Sequence, residues 1–243
     1  MNTTQAFRIF VDALTATRHL SGDSARVDVG SITFRRWQRH TDGQTSLHDE
    51  ALAQACPPEL VLQSLQTYQP AKEHFITVLD DQPDARTAYE QAGYICTVTE
   101  YLMVLNLANM PTDAPSHFVQ VAMPDDVARL NANDVEKRPW VWPQSVTHPA
   151  MRHYYIWQDE RVVARAFSWR CDADTSYVSH VFTNPAYRRR GLGRAIMQRL
   201  LEDCAARGER WSVLVASEEG EALYRGLSYE TLGRILIFEP AAR

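Results

Sequence analysis

"NPAYRRRGLGRA", Asn184–Ala195, sets three arginines directly against Gly-Leu-Gly. The whole chain carries a formal charge of −5, so this local positive charge needs a local reason. Upstream, "SYVSHVFT" (Ser176–Thr183) reads as a strand that ends before Pro185. Downstream, Leu192, Ile196, Leu200 and Cys204 recur every four residues, and Ala195, Met197 and Leu201 broaden the stripe. That spacing predicts an amphipathic helix over 191–207, with Gly208 as its stop. A strand, a turn of successive backbone N–H groups and a helix start together make an anion site. The first amides of a helix lack intrahelical partners and carry partial positive charge. Gly191 and Gly193 allow a bulky phosphate close to the backbone. Arg188, Arg189 and Arg190 add charge and paired donors. A diphosphate suits such a place; a solvated basic turn before an ordinary helix is the other reading.

Other nucleotide motifs fit less well. A Walker loop needs Gly-Lys-Ser/Thr, which is absent. The dinucleotide fingerprint needs a third glycine, but Gly193 is followed by Arg194, Ala195 and Ile196. The composition narrows the classes further. Of 243 residues, 45% are hydrophobic, enough to bury a core. The acidic balance argues against a nucleic-acid partner. Cys56, Cys96, Cys171 and Cys204 are scattered without ligand spacing, so no metal site is expected and a reducing compartment is. "MNTTQAFRIF" has no basic-then-apolar leader, and no apolar run is long enough to span a bilayer. The expectation is a cytoplasmic protein with no membrane partner.

"NLANMPTDAPSH" (Asn106–His117) reads as a linker. It suggests domains at 1–107 and 118–243, joined by 108–117. The second domain reads as strand "HFVQVA" (His117–Ala122), a helix in "MPDDVARLNANDVEK", and a loop "RPWVWPQSVTHP" (Arg138–Pro149). Then come a hairpin of "RHYYIW" (Arg152–Trp157) and "VVARAFSW" (Val162–Trp169), the strand before Pro185, the helix, and a buried strand "WSVLVA" (Trp211–Ala216). A short helix (Glu219–Leu227) and two strands, Tyr229–Leu232 and Arg234–Phe238, finish it. In the first half, "PPELVLQSLQTY" (Pro57–Tyr68) reads as a helix, "HFITVLD" (His74–Asp80) as a buried strand, and "PDARTAYEQAGY" (Pro83–Tyr94) as a short helix. "ICTVTEYLMVLNL" (Ile95–Leu107) reads as two strands. "ARTAYEQAGY" (Ala85–Tyr94) matches "GEALYRGLSY" (Gly220–Tyr229) in pattern, which points to an internal duplication.

"NPAYRRRGLGRA" resembles the acetyl-CoA pyrophosphate loop of the GNAT acetyltransferases, with Arg188, Gly191 and Gly193 at the signature places of Arg/Gln-x-x-Gly-x-Gly/Ala. The family's next motif, Asn-x-x-Ala-x-x-x-Tyr, is matched by Ser217, Gly220 and Tyr224, then Ser228 and Tyr229. Ser217 replaces Asn, Gly220 replaces Ala, and Ser228 stands where Gly is usual. The resemblance covers about Phe118 to Glu239. It implies an α/β (α+β) fold of two GNAT-like domains, each a mixed, mostly antiparallel sheet flanked by helices. The corresponding place in the first half, within "ALAQACPPELV", has no Arg-x-x-Gly-x-Gly, so that half reads as a degenerate copy without a cofactor loop.

The resemblance implies an N-acetyltransferase that moves an acetyl group directly from acetyl-CoA to a primary amine of a small molecule or protein. Arg188–Arg194, including Leu192 and Gly193, would hold the coenzyme, with Ser217 and Tyr224 further along it. Val181, Phe182 and Thr183 would lie along the thioester, where strand splay frees backbone groups and a backbone N–H at 181 or 182 polarises the carbonyl. Tyr224 matches the general acid, being protonated at neutral pH; a half-buried packing tyrosine is the alternative. His180 has the intrinsic pKa of a base, yet strict alternation puts it on the opposite face from Ser179 and Val181. Glu218, Glu219 and Glu221, or a water chain, are the other candidates for the base. The acceptor pocket would come from "RPWVWP" and the hairpin near "CDADT". Trp140 and Trp142 offer a cation-binding wall or core packing, and His148 and His153 read as surface or core. A non-catalytic acyl-CoA binder is the competing class, and a homodimer stays open.

Overall fold

The computed structural model describes residues 1–20, 24–41, 44–54, 56–80, 84–112, 115–134 and 139–241. In chain order the elements are α1 (Thr3–His19), β1 (Ser24–Val29), β2 (Ile32–Thr41), β3 (Gln44–Ala53), α2 (Pro58–Tyr68), β4 (Glu73–Leu79), α3 (Ala85–Gln91) and β5 (Tyr94–Asn106). There follow β6 (Gln120–Val121), α4 (Val127–Ala132), α5 (Pro143–Thr147), β7 (Met151–Gln158), β8 (Arg161–Arg170), β9 (Thr175–Thr183), α6 (Leu192–Ala206), β10 (Trp211–Ser217), α7 (Glu218–Arg225) and β11 (Glu230–Pro240). No helix of the described residues is long and apolar enough to cross a membrane.

The chain forms two compact units. One holds Asn2–Leu102, Ala216–Glu219 and Thr231–Arg243; the other holds Met1, Met103–Val215 and Gly220–Glu230. The final strand therefore groups with the N-terminal unit, whereas the sequence reading gave all of 118–243 to one domain. Of the linker expected at 108–117, residues 113–114 lie outside the described residues. So do Arg138 of the tryptophan loop, Pro83 of the first short helix, and residues 135–137 of the helix expected through Lys137; that helix ends at Ala132, with Asn133 as its C-cap.

In the N-terminal unit, β1, β2 and β3 pair antiparallel in sequence, β3 pairs parallel with β4, and β4 pairs antiparallel with β11. Alternation sends Ile32, Phe34, Ala51, Ile76, Val78, Leu236 and Phe238 to one face, where Val61 and Leu65 of α2 and Tyr89 of α3 meet them. Tyr89 packs on Phe238 with ring centroids 4.7 Å apart. The opposite face carries α1, whose N-terminus is closed by a reciprocal pair: Gln5 N–H donates to the Asn2 side chain, and Asn2 N–H donates to the Gln5 side chain. Under α1, Arg35 pairs with Glu50, and Thr77 donates to the same carboxylate at 2.5 Å. Asp49, fully buried, accepts from Arg36 Nε at 2.8 Å, Tyr68 OH at 3.0 Å and Ala71 N–H at 2.6 Å.

The C-terminal unit repeats this plan. β6, β7, β8 and β9 pair antiparallel, and β9 pairs parallel with β10. α6 buries the expected stripe, Ala195, Ile196, Met197, Leu200, Leu201 and Cys204. A separate cluster of Ala122, Leu130, Trp140, Val141, Tyr155 and Val162 holds α4 and the tryptophan loop to the sheet. The two strands expected in Ile95–Leu107 are one, β5, and the two expected at the C-terminus are one, β11. β5 contains no proline, β11 has one only at its last residue, Pro240, and Gly233 sits inside β11 without a positive φ.

Candidate functional site

The site is built where β9 and β10 stop pairing. Their register runs from Thr175–Trp211 to Val178–Leu214 and ends there among the described residues, although β9 continues to Thr183. Parallel strands that part leave backbone groups of the diverging segment without ladder partners. The N-terminal unit lacks this opening: β3 and β4 stay paired up to Ala53–Val78, and Ala53 is the last residue of β3.

On its other edge, β9 is bulged against β8. Arg165 faces Phe182 and Phe167 faces Ser179, so His180 and Val181 together oppose Ala166. His180 takes the left-handed conformation, φ 55°. Strict alternation therefore fails at this residue, so the face that a regular strand gives His180, the one read from the sequence, cannot be assumed. Its ring lies against Phe167, centroids 4.8 Å apart, and its Nδ1 is 3.2 Å from Ser179 Oγ.

After Thr183, Asn184 caps a single turn at Pro185–Tyr187 by accepting from Ala186 N–H. The chain then reaches α6 through Arg189 at φ 64° and Gly191 at φ 79°. Positive φ at two nearby residues turns successive N–H groups toward a common concavity. Gly191 is the N-cap, has no side chain to cap the first amides, and no acidic residue sits in the first turn. A Cβ at Gly193 would meet Leu223 Cδ2 at 3.4 Å and Thr183 Oγ1 at 3.5 Å, so Gly193 marks a close approach of β9, α6 and α7.

The arginines are not equivalent. Arg188 Nε donates to Thr183 O at 3.3 Å, and Arg190 stacks on the Tyr187 ring at 5.0 Å. Tyr187 OH in turn donates to Asp159 Oδ2 at 2.7 Å. Arg189 is exposed. Arg194 Nη1 donates to Gly226 O at 2.9 Å, tying α6 to the end of α7.

Tyr224, on α7, is 7% exposed and sits edge-on to Tyr229, ring centroids 5.8 Å apart. Burial pushes its phenol further above the ordinary value, so it stays protonated and able to donate. Tyr89, at the matching place of the first-half pattern, is more deeply buried, with its hydroxyl unpartnered. Val181, Phe182 and Thr183 are half-buried along the diverging end of β9. Leu192 opens α6. Ser217 closes β10, within the Ala216–Glu219 segment that groups with the N-terminal unit.

One acceptor-side expectation changes, and one alternative is decided. The Cys171–Thr175 turn lies at the start of β9, about 17 Å along the strand from His180 at ~3.3 Å per residue, so it does not border the opening. Trp140 is 4% exposed beneath the Arg165 guanidinium, 5.3 Å from its ring, and is a packing residue. Sequence reasoning did not single out Arg165 or Asp134, which form a buried ion pair at 3.3 Å with Phe182 covering the guanidinium at 4.8 Å. Arg165 lies in a stretch of β8 buried on both faces, and no local pattern marks its partner Asp134, 31 residues away. His153 is buried, with Nε2 2.8 Å from Ser145 Oγ and Nδ1 unpartnered. Burial, aided by His180, drives its pKa down to about 3.

Comparison with known families decides what this arrangement is. Residues 118–229 match the Acetyltransferase (GNAT) family. That stretch is a GNAT domain. Similar folds cover the whole chain: a GCN5-related N-acetyltransferase from Kribbella flavida superposes with a TM-score of 0.66 at 16% identity, over 100% of this chain and 97% of the other. One from Sphaerobacter thermophilus gives 0.61 at 15% identity over 87% and 78%. A tandem GNAT protein from the clavulanic acid biosynthesis pathway gives 0.53 at 12% identity over 100% and 97%. No curated protein matches the sequence. The GNAT domain thus carries an acetyltransferase fold, with the parted strands, the bulge and the Arg-Gly turn in one unit.

Proposed function

We propose that the chain is an N-acetyltransferase that binds one acetyl-CoA in its GNAT domain and acetylates a primary amine by direct transfer. The observation that carries this reading is the parting of β9 and β10 beside a glycine-lined, acid-free helix start. The turn suits the diphosphate of coenzyme A: uncapped first-turn amides, positive φ at Arg189 and Gly191, and guanidinium groups around them. Acetyl-CoA supplies the activated acyl group as a thioester. The backbone N–H of Val181 or Phe182, left by the divergence of β9, polarises the acyl carbonyl. His180 takes the proton from the acceptor ammonium so that the amine lone pair can attack. Tyr224, protonated at neutral pH, gives its phenolic proton to the departing thiolate sulfur. The acceptor is a small-molecule or protein amine.

The N-terminal unit is, in this reading, a degenerate copy: β3 and β4 never part, and Pro57 opens α2 without a glycine turn. Titration calorimetry with acetyl-CoA, followed by thiol release across an amine panel, tests both points. One coenzyme per chain and amine-dependent release are expected. Two sites, or binding with no release above the hydrolytic background, would refute the proposal.

A further inference from the structure

Two turns of the GNAT domain meet beside the start of α6. The β7–β8 hairpin closes through Asp159 at φ 49° and Glu160 at φ 58°. Positive φ at both central residues marks a tight two-residue connection, which holds its first residue in a fixed place. From that tip the Asp159 carboxylate accepts the Tyr187 phenol at 2.7 Å, 28 residues along the chain. Tyr187 ends the single turn that leads out of β9, and its N–H donates to Asn184 O at 2.8 Å. The face of its ring carries the Arg190 guanidinium, 5.0 Å from the centroid, while Arg190 Nη2 donates to Ala186 O at 3.3 Å. Arg189, exposed in the same turn, makes no such contact among the described residues. An acid here needs a reason, because a carboxylate near a diphosphate weakens its binding by like-charge repulsion.

We infer that Asp159 and Tyr187 are positioning residues for Arg190, which grips the diphosphate of the coenzyme. The hairpin tip fixes the phenol, the phenol fixes its ring, and the ring with Ala186 O fixes the guanidinium beside the turn. A guanidinium has five N–H donors, so most remain for an anion after Ala186 takes one. The gain is preorganisation: an arginine already held in one rotamer loses less side-chain freedom on binding. This rests on the reading of the Arg-Gly turn as the coenzyme site. The sign of one substitution separates positioning from charge. By charge alone, removing Asp159 tightens coenzyme binding. By positioning, removing it loosens binding.

The test is titration calorimetry of the whole chain with acetyl-CoA. Asp159→Ala should raise Kd about fivefold. Tyr187→Phe keeps the ring but leaves the Asp159 charge without its phenol, and should raise Kd about tenfold. Asp159→Asn suits the same turn, keeps an acceptor for the phenol and sheds the charge, so it should bind at least as tightly as wild type. In an Arg190→Ala background Asp159→Ala should no longer weaken binding; in an Arg189→Ala background it still should. A second readout needs no ligand. The hydrogen bond from Tyr187 to Asp159 holds the phenol above its ordinary pKa. In ultraviolet titration, the phenolate signal lost in Tyr187→Phe should therefore appear at lower pH in Asp159→Ala than in wild type. Tighter binding by Asp159→Ala, the same loss in the Arg190→Ala background, or an unmoved phenol titration overturns the inference while the coenzyme site stands. A wild type that binds no acetyl-CoA overturns the reading of the turn, and the inference with it.

Discussion

Gly193→Asp separates the binding role of the turn from its structural role. Gly193 has no positive φ, so an aspartate there meets no backbone strain, and its Cβ meets Leu223 Cδ2 at 3.4 Å and Thr183 Oγ1 at 3.5 Å, ordinary contacts. The new carboxylate lies in the first turn of α6, where a negative charge favours the helix by about 0.3–1 kcal/mol. The same carboxylate repels a bound diphosphate. Two unit charges about 5 Å apart at an effective dielectric of about 20 repel by about 3 kcal/mol. That is on the order of a hundredfold in affinity. The variant should therefore melt at or slightly above the wild-type temperature while its calorimetric Kd for acetyl-CoA rises about a hundredfold. Raising the ionic strength should recover part of the loss, because the charges are near solvent. Wild-type affinity in a folded Gly193→Asp protein would refute the reasoning, since the ligand would then lie elsewhere.

Tyr224→Phe keeps the ring packed on Tyr229 and removes only the proton donor. It should lower kcat about a hundredfold with acetyl-CoA affinity unchanged, read by thiol release and calorimetry. Truncation after Glu230 removes Ile235, Leu236 and Phe238 from the N-terminal core, about 6 kcal/mol of apolar burial. Hydrogen exchange should then show residues 24–79 unprotected; retained protection would argue that β11 is dispensable to that unit. Asp49 is pushed up by burial, but Arg36, Ala71 N–H and Tyr68 outweigh this and hold its carboxyl below the usual value. Its stabilisation is therefore present above the unfolded pKa near 4 and lost as pH falls through the lower folded value. Asp49→Asn should cost about 2 kcal/mol at pH 7 and flatten the acid limb of the stability curve, measured by urea melts at several pH values.

The site was legible where chemistry is local. The Arg188–Gly191–Gly193 spacing, the period of α6 and the Tyr224 motif each depend on residues within one or two turns of each other. The first seventy residues were harder. β1 shows a mostly exposed surface, and β2 carries "RRWQRHT", a run whose inward Arg35 is neutralised only by Glu50 on the next strand. Hydropathy cannot see a partner that lies across a ladder.

The sequence alone determined the class of fold and the course of the Arg188–Gly193 turn into α6, because periodicity and turn chemistry are properties of contiguous residues. Only the tertiary structure decided that β11 completes the N-terminal unit, that β9 bulges at His180, and that Arg165 and Asp134 are buried together. Each of those depends on register between strands distant in sequence, and register is set by packing across the sheet, not by the residues of any one strand.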